Sequence, residues 1–235
     1  MNKNMIAIIT LFLILLTSCT TTTRPSEQDF RIGFNGLSIE FLKNTPPPKV
    51  FEEETLPVIL KIKNIGAYDI KDNEAVLSLG VEKDYTKRVE LLKESRVAQL
   101  QDATASFSLL GKSAINLNGE EGIISYNVQA GKLDPQSEYH STTVIATLCY
   151  PYETISESTV CIDTDVNNLM PGKKVCNVQD VVFSKGQGAP VAVSRVEASM
   201  LPLLSEQAYD KIKPQFLIYV ENKGQGLVIQ KEIVK

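Results

Sequence analysis

The chain has 235 residues, a formal net charge of −4 and a hydrophobic fraction of 43%. This length is enough for one large or two ordinary domains with a substantial core. The mildly acidic balance and the lack of a basic cluster exclude nucleic acid as an expected partner.

The N-terminal segment, residues 1–18, has the organisation of an export signal peptide. Lys3 precedes an apolar run over residues 5–16, which is too short to span a bilayer. A Leu-Thr-Ser-Cys tetrapeptide ending at Cys19 follows, and it resembles the lipobox of prokaryotic lipoproteins, in which the cysteine receives lipid such as palmitate. The alternative is an ordinary secretory signal followed by a chance cysteine. Both interpretations predict export, and the first adds a membrane anchor at Cys19.

The sequence after the signal has two parts that differ in composition and pattern. Residues 19–29 are small and polar, and they predict a flexible lipidated tether because they have few apolar side chains to bury. From Phe30 onward, short segments of alternating apolar residues recur with turn residues between them. This pattern predicts an all-β chain that forms an immunoglobulin-like antiparallel β-sandwich.

Six segments are predicted as strands. Residues 57–63 are the clearest, because Val58, Leu60 and Ile62 would share one buried face. The other five are residues 37–41, 74–81, 123–128, 142–148 and 158–162. Residues 87–101 contain good helix formers throughout, and we interpret them as an excursion between strands with a turn or two of helix.

Two parts of the chain repeat each other weakly. Residues 58–66 align without gaps to residues 216–224, including an Asn-x-Gly turn. Upstream, residues 38–41 align with residues 195–198, so the spacing between the two elements is kept to within one residue. Two strands and a turn in the same order indicate a duplicated module.

The duplication predicts how the chain is divided. Residues 30–163 would form a first sandwich module, residues 164–177 a linker, and residues 178–235 a partial second module. Two or three strands cannot cover both faces of a sandwich, so we expect the second module to be truncated or completed by another chain. Its strand over residues 216–220 would be apolar on both faces. We therefore expect residues 216–228 to be the sticky region of the protein, that is, the surface most prone to aggregate or to bind another chain.

Several turns and strand ends carry a resemblance to a known family. The alternating residues 37–41, the proline-rich turn after them and the strand that ends at residues 63–66 resemble the CARDB type of immunoglobulin-like domain, a cell-adhesion-related domain of bacteria. Residues 149–154, 160–162 and 186–191 look like exported β-sandwich proteins of uncharacterised archaea. The resemblance implies a seven-stranded sandwich that serves as a surface spacer, adhesion or assembly module and carries no catalytic residues.

Three cysteines follow Cys19, and all of them lie where the first module ends. An exported chain would form one disulfide and leave one cysteine free. A Cys161–Cys176 bond would close a loop of about 15 residues, which the chain-entropy model values at about 3 kcal/mol, and would fasten the linker to the last strand. A Cys149–Cys161 bond across a hairpin is the alternative.

No motif in the sequence predicts catalysis, a metal site or a cofactor. His140 is the single histidine, and neither GxSxG nor HExxH occurs. Residues 163–167 begin like a calcium loop, but Asn168 stands where the loop needs glycine and Lys174 where it needs glutamate. An irregular calcium contact between the modules stays open as a hypothesis.

We therefore expect a non-enzymatic protein that is anchored to the outer face of the cell membrane by lipid on Cys19. Its expected role is adhesion, spacing or assembly, with an unknown protein or glycan as partner. The alternative is a non-catalytic accessory part of a truncated exported hydrolase or transferase.

Overall fold

The computed structural model describes residues 30–92, 97–101, 103–203 and 211–229. These residues contain one 3₁₀ turn at Lys83–Tyr85 and eleven strands. The strands are β1 (Leu37–Phe41), β2 (Thr55–Asn64), β3 (Ile70–Gly80), β4 (Thr86–Leu91), β5 (Val97–Gln101), β6 (Thr104–Leu109), β7 (Glu121–Ala130), β8 (Ile145–Cys149), β9 (Val181–Val182), β10 (Val191–Pro202) and β11 (Ile212–Asn222).

Two four-stranded antiparallel sheets form a sandwich, with strand orders β1-β2-β7-β4 and β5-β6-β3-β8. In the first sheet, Val58 pairs with Tyr126 and Leu60 with Ile124, and these four side chains point into the core. The second sheet covers them with every second residue of its own strands, among them Ala75, Leu77, Leu79, Ala105, Phe107 and Leu109. The prediction of an all-β antiparallel sandwich is confirmed.

The predicted strands agree with the structure to different degrees. β1, β2 and β7 lie where alternation predicts them, β3 begins earlier, and β8 is shorter than the predicted strand. Residues 158–162 form no strand, so that prediction was wrong. The chain does not pair back onto the sheet after β8 but crosses toward β10, where the Thr154 hydroxyl donates to the Val191 carbonyl.

Residues 87–101 supply parts of β4 and β5, so the prediction of an excursion with some helix was wrong. β4 pairs with β7, and β5 pairs with β6. Helix propensity is a weak preference that tertiary pairing overrides, and here Val89 opposite Val128 and the buried Leu91 join the core. The first sandwich therefore has eight strands instead of the seven that the resemblance implies.

The remaining strands form a three-stranded antiparallel sheet in the order β11-β10-β9. The loop between β9 and β10 lies directly on the first sandwich, because the Gly188 amide donates to the Gly33 carbonyl at 2.9 Å and the Ala67 amide donates to the Gly188 carbonyl at 2.8 Å. Gly186 has φ +70, and a Cβ there would lie 2.3 Å from the Gly33 oxygen. Glycine is required for this close approach. The boundaries of the modules and the linker stay a prediction.

A first testable prediction concerns Tyr126. Its side chain is fully buried, and its hydroxyl has no hydrogen-bond partner among the described residues. Burial raises the pKa of Tyr126 to about 12. Because a buried unsatisfied hydroxyl is costly, Tyr126→Phe should raise the free energy of unfolding by about 1 kcal/mol.

Denaturant unfolding of residues 19–235 with Cys19→Ser measures this change. Tyr126→Leu is the control, and it should lower the stability because it removes ring packing from the core. A phenylalanine variant that is clearly less stable than the parent would mean that the hydroxyl is hydrogen-bonded.

Candidate interaction surface

β11 exposes apolar side chains on both of its faces. Phe216, Ile218 and Val220 on one face are 41, 58 and 61% exposed. Leu217 and Tyr219 on the other face are 50 and 37% exposed. We call these five side chains, together with the strand edge that faces away from β10, the β11 surface. Contiguous exposed apolar groups of this kind mark interaction sites.

The aligned strand of the first sandwich is covered. Val58, Leu60 and Ile62 of β2 occupy the positions that correspond to one face of β11, and at most 1% of each is exposed. The second sheet of the sandwich covers them, whereas β11 has no facing sheet within the described ranges. β11 is thus exposed because no described sheet covers it, and not because its composition differs from that of β2.

β11 has a free edge as well as free faces. The Lys223 amide donates to the Pro190 carbonyl at 2.8 Å, and the Lys211 carbonyl accepts from the Leu203 amide at 3.1 Å. Backbone groups alternate in direction along an antiparallel strand, so the odd-numbered residues of β11 face β10. The even-numbered residues direct their amide and carbonyl groups to the other edge, where no described strand pairs with them.

In β2 the same edge is occupied. The Asn64 amide donates to the Glu120 carbonyl at 2.8 Å, and from there β7 pairs along the whole strand. The even-numbered residues of β2 face β7, and the repeat aligns Asn64 with Asn222. The open edge of β11 is therefore the counterpart of the edge that β7 fills.

The two Asn-x-Gly turns have matching hydrogen bonds. In each turn the asparagine Oδ1 accepts from the amide two residues later at 3.1 Å, and Nδ2 donates to the carbonyl four residues later at 2.9 Å. Asn64 makes a further bond to the Leu109 carbonyl at 3.1 Å and is buried, whereas Asn222 is exposed. The matching turns support the predicted duplication.

The first strands of the two repeats align differently from the sequence prediction. The amide that follows the turn asparagine donates to the Gly36 carbonyl in one repeat and to the Pro190 carbonyl in the other. Pro190 thus takes the place of Gly36, whereas the sequence alignment gives Val193. A bulge between Val193 and Arg195 adds a residue to β10 and accounts for part of the difference.

A groove of about 1060 Å³ lies between the first sandwich and the chain that follows β11. One wall comes from the edge strands β1 and β8, with Leu37, Ile39 and Leu148 among its residues, and the other from residues 224–229. The end of the predicted sticky region thus faces the first sandwich, while β11 itself stays exposed.

Cys161 and Cys176 form a disulfide, with their Cα atoms 5.9 Å apart. This is the first of the two predicted pairings. Cys149 is free and lies in β8 opposite Val76, so the hairpin that the alternative pairing needs is not formed. The bond closes a loop in the irregular segment between β8 and β9. No strand pairing links the two ends of this loop, so the disulfide holds them together.

Lys174 occupies the acidic segment that begins like a calcium loop. Its Nζ lies 2.5 Å from Asp163 Oδ2 and 2.9 Å from the Asp165 carbonyl oxygen. The hydrogen bond from Lys174 holds the pKa of Asp163 below its usual value. The Lys174 ammonium therefore occupies the Asp163 carboxylate that a calcium ion would need as a ligand. The described residues also contain no cluster of three metal-ligating side chains. The geometry does not favour the calcium hypothesis.

The single histidine has a structural contact. The His140 ring stacks on Tyr85 with centroids 3.6 Å apart, and its Nε2 lies 2.9 Å from Glu82 Oε2. The hydrogen bond from His140 lowers the pKa of Glu82. The Tyr85 hydroxyl in turn donates to Asp134 at 2.6 Å, so these contacts hold the connection between β7 and β8 against the 3₁₀ turn.

The predicted leader at residues 1–18, the lipidation site Cys19 and the tether lie outside the described residues. Among the residues that are described, no helix has the length and apolar character that crossing a membrane requires.

The chain matches no protein-family model, no curated protein and no solved structure. The resemblance to CARDB-type domains therefore stays a proposal that rests on the strand and turn residues quoted above.

The two turn asparagines form a matched pair for a stability test. Asn64→Ala would remove three hydrogen bonds and leave buried carbonyl groups without donors, so we expect a loss of about 2–4 kcal/mol in the free energy of unfolding. Asn222→Ala removes the same local bonds at an exposed site, where water replaces them, and should cost less than about 1 kcal/mol. Urea unfolding of both variants measures the two changes in the free energy of unfolding. Equal losses of stability in the two variants would contradict this account.

A second stability test concerns the disulfide. Replacing both Cys161 and Cys176 by serine should lower the free energy of unfolding by up to about 3 kcal/mol under oxidising conditions. Cys149→Ser is the control and should have a much smaller effect, because this residue forms no disulfide. Thiol labelling of the unfolded Cys19→Ser chain should detect Cys149 alone. Labelling of Cys161 or Cys176 without reductant would refute the pairing.

Proposed function

We propose that the chain is a non-enzymatic, lipid-anchored protein of the cell surface that serves as an adhesion, spacer or assembly module. The β11 surface is the observation that carries this proposal, because it combines exposed apolar side chains on both faces with an open backbone edge. Such an edge recruits a strand from a partner, which is a known mode of protein recognition.

The proposed location rests on independent features. The N-terminal segment has the order of a charged residue, an apolar run and a Leu-Thr-Ser-Cys junction at Cys19. The Cys161–Cys176 bond fits an exported chain, since disulfides persist in oxidising compartments. Together these features support a protein that is held to the outer face of the membrane by lipid on Cys19.

The proposed family fits the same picture. A CARDB-type relationship would make the first sandwich a rigid spacer and would leave binding to surfaces at the edges of sheets. The partner in this proposal is another protein or a glycan at the cell surface.

Membrane fractionation tests the proposed anchoring. Wild-type protein should sediment with membranes and incorporate labelled palmitate, while Cys19→Ser should be released and unlabelled, because the lipid is the proposed membrane contact. Thr20→Ser, next to the junction, is the matched control and should behave as wild type. Wild-type protein that is soluble and unlabelled would refute the lipoprotein proposal.

A further inference from the structure

We propose that the open edge of β11 pairs antiparallel with β11 of a second copy of the chain, which joins two three-stranded sheets into one. This inference deepens the proposed assembly role, on which it rests, by naming the partner. It follows from three features of the strand, which are its backbone edge, its apolar residues and the position of its charges.

The backbone edge is suited to its own copy. Even-numbered residues of β11 direct their amide and carbonyl groups outward, and an antiparallel two-fold pairing opposes even-numbered residues to one another. A single contact therefore pairs the open edges of both copies at every even-numbered position except Pro214, which has no amide, and leaves no new edge. This closed arrangement is the usual form of a homodimer interface.

The corresponding edge of β2 in the first sandwich shows what kind of strand can pair with the open edge of β11. β7 fills the matching edge of β2 and presents an apolar side chain at every second residue, with Ile124, Tyr126 and Val128 on the buried face. β11 has Phe216, Ile218 and Val220 at the same spacing on one face, although Leu217 and Tyr219 make its other face apolar as well. A second β11 therefore has the apolar pattern of the strand that occupies this position in the other repeat.

The charges and the position of Pro214 together favour one register. Registers differ by steps of two residues, because only those keep the outward-facing backbone groups opposed. With Leu217 on the two-fold axis, Phe216 lies opposite Ile218 of the second copy and Lys213 opposite Glu221. Lys211, just before the strand, then lies opposite Lys223. A step in one direction opposes Lys213 to Lys223. A step in the other direction places Lys211 opposite Glu221, but it moves Pro214, which has no amide to donate, closer to the centre of the ladder.

Within the described ranges Lys213 is free for this pairing, whereas Glu221 would share its carboxylate with its partners in the same chain. Lys213 is exposed and takes part in no ion pair among the described residues. Glu221 is bonded to Ser194 and to Lys223, whose Nζ lies 2.5 Å from Glu221 Oε2, and these bonds lower the pKa of Glu221. The glutamate is therefore ionised at neutral pH and shares a face of β11 with Lys213.

A charge exchange tests the proposal on the full mature chain with Cys19→Ser, measured by sedimentation equilibrium at low ionic strength. The parent should show a concentration-dependent dimer. Lys213→Glu and Glu221→Lys should each weaken dimerisation by about tenfold, because two cross-strand pairs per dimer change from attraction to repulsion. An equal mixture of the two variants should recover a dimer, since every Lys–Glu contact is then restored between unlike chains.

Lys211→Glu is the matched control, with the same change in net charge just outside β11, and it should keep or strengthen the dimer because Lys211 lies opposite Lys223 of the second copy. Ile218→Lys, at the centre of the apolar face, should abolish it, with circular dichroism to show that the fold is intact. A parent chain that stays monomeric overturns the proposal, as does a dimer that all four variants leave unchanged. Both results would leave the anchoring of Cys19 unaffected, so failure of this inference is distinguishable from failure of the proposed function.

Discussion

β2 has to satisfy two requirements at once, and the first sandwich is arranged around it. Its even-numbered side chains fill the core, and its backbone needs a partner on each side, which β1 and β7 supply. A slip by one residue would turn every apolar side chain to solvent. Asn64 prevents such a slip, because its buried side chain bonds the Leu109 carbonyl of the facing sheet and thus ties the registers of the two sheets together.

The same strand-and-turn unit recurs at β11 under different conditions. Its turn has the same hydrogen bonds around Asn222, and its residues are as apolar as those of β2. The described residues supply neither the neighbouring strand nor the facing sheet that β2 has. A strand with the composition of a core strand therefore stands at the surface, where its free energy falls if another strand covers it.

Alternation in the sequence predicts β1, β2 and β7 because one face of each is apolar over several residues. It fails for β4 and β5, which lie at the outer positions of their sheets, where few side chains are buried and residues 87–101 show no clear period. The sequence favours Cys161–Cys176 as the first pairing but leaves Cys149–Cys161 open, since both pairings depend on the path of residues 150–176. The repeat does point to β11, but the first strands align differently from the sequence prediction, and the bulge in β10 accounts for only part of that difference.

The attachment of the second sheet bears on how readily its edge pairs. The β10–β11 hairpin is held at its base, where Gly188 bonds Gly33 and Ala67 through backbone groups and where residues 224–229 line the groove against the first sandwich. The sequence shows these glycines but not the close approach that needs them, because that approach is a tertiary contact. A strand already extended and fixed at one end loses less conformational entropy when it pairs. The loop that joins the two sheets would therefore favour the proposed pairing at β11 without touching the partner.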